Sequence, residues 1–130
     1  MLYFDIENLK TTTYNYEFDQ YLKLPNGKQI TRIEKVMTNG NDVCRLDSNE
    51  ISLPLYIRTR VSGDVIDVKG LYGHKKIKDI FIDEKIPMHE RNEWPIVTDS
   101  NGEVVWIPGI KKSKFDKSKD EKYDIILKYD

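Results

Sequence analysis

Three Asn-Gly pairs, each next to a short apolar or alternating run, constrain this chain most strongly, because they favour antiparallel strands joined by tight turns. The pairs are Asn26-Gly27, Asn39-Gly40 and Asn101-Gly102. Asn-Gly is a strong hairpin signal, since both central residues of a type I′ turn need positive φ. Apolar residues fall on one parity over residues 14–24, which predicts a half-buried strand. We therefore expect a hairpin with a return strand starting near Gln29.

Further apolar or alternating runs predict strands over residues 43–46, 53–61, 65–68, 96–97, 104–107 and 123–129. In the second of these, Arg58 and Arg60 lie on the face opposite Leu55 and Ile57, so two guanidinium groups project side by side. Pro54 puts that strand at a sheet edge or just at its own start.

The period changes after residue 74. Ile77, Ile80 and Phe81 follow helical spacing, so we expect one main helix over about residues 75–85, ended by Pro87, with a second helical turn over residues 88–93. Residues 111–122 are rich in lysine, aspartate and serine and are predicted to form a mobile loop. Together these elements predict an α+β fold made mostly of antiparallel strands.

The length of 130 residues fits one domain with its own core. No apolar run reaches the roughly 20 residues of a membrane span, and residues 1–7 lack the layout of a signal peptide. A single cysteine, Cys44, excludes an internal disulfide, and with only two histidines, His74 and His89, a closed zinc site would need carboxylate ligands as well. We therefore expect a cytoplasmic protein without a bound metal.

Positive charge concentrates in the middle of a chain whose net charge is only −1. Residues 53–115 carry 11 basic and 9 acidic side chains, and residues 69–78 hold four lysines and no acid. In that segment, a glycine-bracketed turn, Gly70-Leu71-Tyr72-Gly73, runs towards the predicted helix start. Glycines and a helix amino terminus suit a phosphate, although a solvated lysine surface gives the same pattern.

Other candidate groups have structural alternatives. Arg58 and Arg60 suit phosphate oxygens, or they form salt bridges with Asp64 or Asp67. Trp94 and Trp106 are more typical of core residues than of base-stacking ones. The sequence shows no nucleophile paired with a base, no Walker loop and no Ser-Gly-Gly-x-Asp-Ser loop, so no catalytic residue is predicted.

Four consecutive patterns between about residues 53 and 115 resemble the carboxyl-terminal domain of bacterial tRNA(Ile)-lysidine synthetases. The patterns are Arg58-x-Arg60-x-x-Gly63-Asp64, Gly73-x-Lys75-Lys76-x-Lys78-Asp79, Asp83-x-Lys85-Ile86-Pro87-x-x-x-Arg91-x-x-x-Pro95 and Gly102-x-Val104-x-Trp106-x-Pro108-Gly109. The resemblance divides the chain into a β-rich region over residues 1–52 and the carboxyl-terminal domain proper over residues 53–130.

The resemblance implies a small, β-rich, three-layered fold, similar to a domain of the phenylalanyl-tRNA synthetase β chain. It implies that the chain holds the tRNA body near the acceptor stem, for an enzyme that uses ATP to join lysine to the wobble cytidine of a minor isoleucine tRNA. ATP and magnesium would belong to the family's amino-terminal catalytic domain, which is a second expected partner, so this chain should hold no cofactor and be inactive alone.

The predicted tRNA-binding residues are Arg58, Arg60, Lys75, Lys76, Lys78 and Arg91. Two alternatives remain: a stand-alone RNA-binding protein without a link to lysidine, and a protein-interaction module whose lysines are only solvated.

Overall fold

The computed structural model describes residues 13–130, so the amino-terminal stretch judged not to be a signal peptide lies outside the described residues. The described chain forms short strands and two short helices, in the order β1 (Asn15–Phe18), β2 (Tyr21–Lys23), β3 (Gln29–Ile33), β4 (Val43–Leu46), β5 (Leu55–Arg58), β6 (Val65–Asp67), β7 (His74–Lys76), α1 (Ile77–Asp83), α2 (Met88–Arg91), β8 (Ile96–Thr98), β9 (Val104–Ile107), β10 (Lys111–Lys112) and β11 (Ile125–Tyr129). Neither helix is long and apolar enough to cross a membrane.

The strands of residues 13–130 form two larger sheets and one separate hairpin. Sheet A has the order β1-β5-β8-β9-β10, sheet B has the order β2-β3-β11-β4, and β6 pairs only with β7. Every pairing between these strands is antiparallel. The expected α+β fold of mostly antiparallel strands with one main helix is therefore confirmed.

Sheet A is the middle layer, because its side chains enter two separate apolar clusters. Trp106, Val97 and Ile57 pack in the first cluster with residues of sheet B such as Ile30 and Leu127. On the other side, the second cluster joins sheet A to the β6–β7 hairpin and to α1; its members are Ile66, Val68, Ile77, Ile80, Phe81, Ile96, Val104, Ile107 and Ile110. The order sheet B, sheet A, hairpin with helix gives three layers.

The single strand predicted over residues 14–24 is wrong, because the chain changes sheets inside it. Phe18 ends β1 in sheet A, and Tyr21 begins β2 in sheet B. The hairpin that follows is confirmed, since Lys23 of β2 lies opposite Gln29 of β3. Its turn is not type I′, because Gly27 has positive φ and Asn26 does not.

The main helix is shorter than predicted at both ends. Residues 75 and 76 belong to strand β7, so the helix starts at Ile77 and not at residue 75. At the other end, Lys85 adopts φ +56, its N–H donates to the carbonyl of Ile82, and Ile86 N–H donates to the carbonyl of Phe81. These two bonds form a Schellman motif, which ends the helix at Asp83 before Pro87 can act.

The mobile loop predicted over residues 111–122 is wrong for its first half. Lys111 and Lys112 form β10, and Ser113 is fully buried in a bridge with Val68. Asp116 is also buried, and it accepts hydrogen bonds from Arg45 N–H and from the Lys69 ammonium group. The first half of this lysine-rich segment is therefore ordered, because the buried Asp116 carboxylate hydrogen-bonds it to the rest of the fold.

The boundary between residues 52 and 53 stays a prediction. Strands from both sides of it share sheets: β1 pairs with β5, and β11 pairs with β3 and β4. The predicted strand over residues 53–61 is shorter than expected, with Leu53 and Val61 exposed outside β5. Pro54 immediately precedes β5, which is an interior strand of sheet A, so of its two expected positions the start of the strand is correct.

Candidate nucleic-acid interface

A cleft of about 520 Å³ opens between the turn after β5, the junction of β7 with α1, and the residue after α2. We call it the cationic cleft; it is lined by Arg60, Val61, Ser62, Gly63, Asp64, Lys76, Ile77, Lys78 and Asn92. Three of these side chains are positively charged: Arg60 follows β5 of sheet A, Lys76 ends β7 and Lys78 lies in the first turn of α1. The cleft therefore gathers cations that are separated in sequence.

Arg60 is held in the cleft by two contacts. Its Nε and Nη2 donate to the Asn92 side-chain oxygen at 3.2 and 3.0 Å. Its guanidinium carbon also lies 5.3 Å from the centre of the Phe81 ring, which is a cation–π geometry. The hydrogen bonds use one edge of the fork, so Nη1 remains available to an anion with little loss of side-chain entropy.

Arg58 is a structural residue, which confirms the salt-bridge alternative. It forms a two-pronged pair with Asp64, with both N–O distances at 2.9 Å, and its Nη1 also donates to the carbonyl of Thr59. Asp64 additionally accepts the N–H of Val61 at 2.7 Å. The pair therefore fixes the turn over residues 61–64 and balances the carboxylate that lines the cleft.

Lys75 and Lys76 are neighbours in sequence but lie on opposite faces of β7. Lys76 is exposed and lines the cleft together with Lys78. Lys75 instead pairs with Asp83 of α1 at 2.8 Å, and this hydrogen bond raises the pKa of the Lys75 ammonium group. Only one member of the pair faces the same space as Arg60.

The glycine turn does not lie at the helix start, so that part of the predicted phosphate site is wrong. Gly70 and Gly73 bracket the turn of the β6–β7 hairpin, and strand β7 separates this turn from α1. Both glycines have positive φ, of +82 and +81, which explains their presence without a ligand. The turn and the cleft lie at opposite ends of β7.

Arg91 lies outside the cleft lining. Its Nε donates to the carbonyl of Ile86 at 2.7 Å and ties α2 to the segment after α1. Of the six predicted tRNA-binding residues, the structure brings together Arg60, Lys76 and Lys78 in the cleft, whereas Arg58, Lys75 and Arg91 do not line it. Whether any of the six binds tRNA stays a prediction.

Sequence reasoning missed Asn92 and Phe81 as the groups that position Arg60. Asn92 follows α2 and is 32 residues from Arg60, so no local pattern could indicate the contact. Phe81 follows the helical spacing and is buried, and one face of its ring also contacts the arginine. The core assignment of Trp106 is confirmed by its full burial, and Trp94 is partly buried against both apolar clusters.

Each of the two histidines lies next to a carboxylate. His74 contacts Asp67, and His89 lies 3.7 Å from Glu90. Lys114 also lies 3.1 Å from Asp67, and its hydrogen bond, with the charge of His74, lowers the pKa of the Asp67 carboxyl. Within residues 13–130, no three His, Cys, Asp or Glu side chains form a group that could hold a metal ion.

Comparison with known families gives a match over most of the described fold. The model of the family described as TilS substrate C-terminal domain matches residues 55–127. A solved structure titled as the crystal structure of the TILS C-terminal domain superposes with a TM-score of 0.82 at 41% sequence identity. The superposition covers 91% of this chain and 96% of that one.

Similar proteins are much longer than this chain. The tRNA(Ile)-lysidine synthase of Bacillus licheniformis is 41% identical over 128 residues, which cover 92% of this chain and 27% of that protein. The enzyme of the same name from Bacillus subtilis is 45% identical over 82% of this chain and 24% of its own length. A bifunctional protein TilS/HprT of Listeria monocytogenes is 43% identical over 87% of this chain and 18% of its own length. The chain thus spans about a quarter, or less, of these relatives.

Proposed function

Because this chain belongs to the family of TilS substrate C-terminal domains, we propose that it is the part of a tRNA(Ile)-lysidine synthase that holds the tRNA. In this proposal the cationic cleft contacts phosphates of the tRNA body near the acceptor stem. The longer enzyme would use ATP and magnesium to join lysine to the wobble cytidine, with the catalytic amino-terminal domain as the second partner. In this proposal the chain only binds the tRNA, and by itself it should release no pyrophosphate from ATP.

The observation that carries the proposal is the convergence of Arg60, Lys76 and Lys78 on one cleft. The carboxylate at its wall, Asp64, is already neutralised by Arg58, so the cleft offers net positive charge to an anion. Phosphate oxygens suit both the guanidinium fork and the two mobile ammonium groups. Such contacts recognise the backbone of an RNA helix without reading its bases.

The number of cations sets the expected strength. Three phosphate contacts supply modest affinity at physiological salt, so we expect a dissociation constant around micromolar or weaker for the chain alone. Each contact releases counterions, so the logarithm of the binding constant should fall with the logarithm of salt concentration, with a slope of about −2 to −3.

The test is a titration of the 130-residue chain with a minor isoleucine tRNA at several salt concentrations. The double substitution Lys76→Ala with Lys78→Ala should weaken binding roughly tenfold and reduce the salt slope by about 1.5. The matched control is Lys119→Ala with Lys122→Ala, since both of these lysines are also exposed and lie elsewhere. Absence of binding at low salt, or an equal loss in the control, would overturn the proposal.

A protein-docking role is the second candidate, and an apolar groove of about 340 Å³ favours it. The groove lies between β1, β3, β5 and β11, and its lining joins the charged Asp19 and Arg32 to six apolar residues, which are Phe18, Leu53, Pro54, Leu55, Ile125 and Leu127. Docking of the catalytic domain there would bury apolar surface, so it should be nearly independent of salt. Binding to the rest of the enzyme that persists at high salt would favour this role.

A further inference from the structure

The turn of the β6–β7 hairpin exposes two large apolar side chains where a turn normally carries small polar ones. Between Gly70 and Gly73, Leu71 is 61% exposed and Tyr72 is completely exposed. Turns favour glycine, proline, asparagine, aspartate and serine, and an aromatic ring that buries nothing gives no stability. We call residues 70–73 the hairpin tip.

The hairpin tip stands on a firmly anchored base. Ile66 and Val68 are buried in the second apolar cluster, and Val68 forms a bridge with Ser113. Lys69 N–H donates to the carbonyl of Lys112, and the Lys69 ammonium group contacts buried Asp116 at 2.6 Å. Leu71 N–H closes the turn on the carbonyl of Val68. The ring of Tyr72 is therefore presented by a rigid support.

Strand β7 connects the tip to the cationic cleft. His74 and Lys76 share one face of β7, and Lys76 lines the cleft at the far end. The acid on this face, Asp67, pairs with Lys114 at 3.1 Å and also contacts His74. Tyr72 precedes Lys76 by four residues, so their Cα atoms lie at most roughly 13 Å apart.

We propose that Tyr72 is a stacking site for an unpaired nucleobase of the RNA whose backbone the cationic cleft holds. This inference rests on the proposed function, and it adds a contact to a base to the contacts with phosphates. An exposed phenol ring beside a cationic strand provides both parts of a single-stranded RNA site: stacking for the base and charge for the backbone. Exposed Lys76 lies on the strand that follows the tip and lines the cationic cleft, which favours RNA over an apolar protein partner.

The probe is a pair of RNA stem-loops with the same duplex, one blunt and one carrying a single-stranded 3′ extension of four nucleotides. The unmodified chain should prefer the extended RNA by about fivefold or more, since a stacked base contributes on the order of 1–3 kcal/mol. Tyr72→Ala should abolish this preference and leave the blunt stem-loop's affinity and salt slope unchanged. Tyr72→Phe keeps the ring and should keep the preference.

Two further variants separate the possible failures. Tyr72→Leu stays apolar but loses the ring, so it should behave like Tyr72→Ala; if it keeps the full preference, the tip is an apolar contact and the stacking site is wrong. Lys76→Ala should weaken both RNAs equally. If Lys76→Ala does so while Tyr72→Ala changes nothing, only the stacking site is overturned. If the unmodified chain binds neither RNA at low salt, both proposals fall.

Discussion

The two sides of sheet A use their polar groups in different ways. On the side of sheet B, Trp106 is fully buried and its Nε1 donates to the carbonyl of Asn41, while Tyr14 donates to the carbonyl of Glu93. On the other side, the hairpin and α1 form a thinner layer whose cations line an open cleft. On the side of sheet B, these polar groups hydrogen-bond within the protein. On the other side, Arg60, Lys76 and Lys78 still face the cleft, where a ligand can reach them. Mutations on the two sides should therefore separate stability from binding.

The largest expected change in stability is on the side of sheet A that packs against sheet B. Trp106→Ala should lower the free energy of unfolding by about 3–5 kcal/mol, because it leaves a cavity between the sheets and removes one of the two hydrogen bonds that the Asn41 carbonyl accepts. Chemical denaturation measures the loss. Trp106→Phe keeps most of the volume and should lose less, and Tyr72→Ala, at an exposed ring, should change stability by less than about 0.5 kcal/mol. A loss below about 1 kcal/mol for Trp106→Ala would contradict the comparison.

An intermediate effect is expected at the boundary between fold and cleft. Asp64→Ala removes the partner of Arg58 and the acceptor of Val61 N–H, so it should lower the free energy of unfolding by about 1–3 kcal/mol. Binding of tRNA to the folded fraction should not weaken, because the variant removes negative charge from the cleft wall.

Asp120→Ala, at an exposed carboxylate, is the matched control and should leave stability unchanged. A stability loss at Asp120 equal to that at Asp64 would show that the paired geometry contributes nothing.

The smallest effect is expected at the end of α1, and it is a gain. Lys85 holds a left-handed φ of +56, which costs a side-chain-bearing residue about 1 kcal/mol. Lys85→Gly should raise the free energy of unfolding by about 0.5–1 kcal/mol, because glycine adopts this conformation without strain. Lys78→Gly, within the same helix, should instead destabilise it. If both substitutions change the free energy of unfolding in the same direction, the Schellman assignment is wrong.

Local patterns predicted six of the strands, because an apolar parity or a short apolar run is a property of a few neighbouring residues; these strands are β4, β5, β6, β8, β9 and β11. They failed where a distant partner decides the structure. Helical spacing at Ile77, Ile80 and Phe81 is correct, but pairing of Lys75 and Lys76 with Ile66 and Val65 holds those two lysines in a strand. The parity from Tyr14 to Leu24 continues across a change of sheet, which no period of two can reveal.

The candidate site was predictable only in part, for the same reason. Charge counting found the segment that holds Lys76 and Lys78, but it could not tell Lys76 from Lys75, since the face of a strand depends on its register. The Arg58–Asp64 pair was foreseen as an alternative because six residues and one turn connect them. Asn92 could not be foreseen, because its contact with Arg60 exists only after α2 has packed.

Strand β11 has a consequence for the order in which the chain can be made and folded. It lies between β3 and β4 in sheet B, although it is the last strand of the sequence. Until residues 125–129 have been translated, β3 and β4 lack the strand that pairs with both of them. The apolar side chains of Ile125 and Leu127 are then also missing from the first cluster. Sheet B therefore cannot close before residues 125–129 have been synthesised, and its closure depends on pairing between strands that lie far apart in sequence.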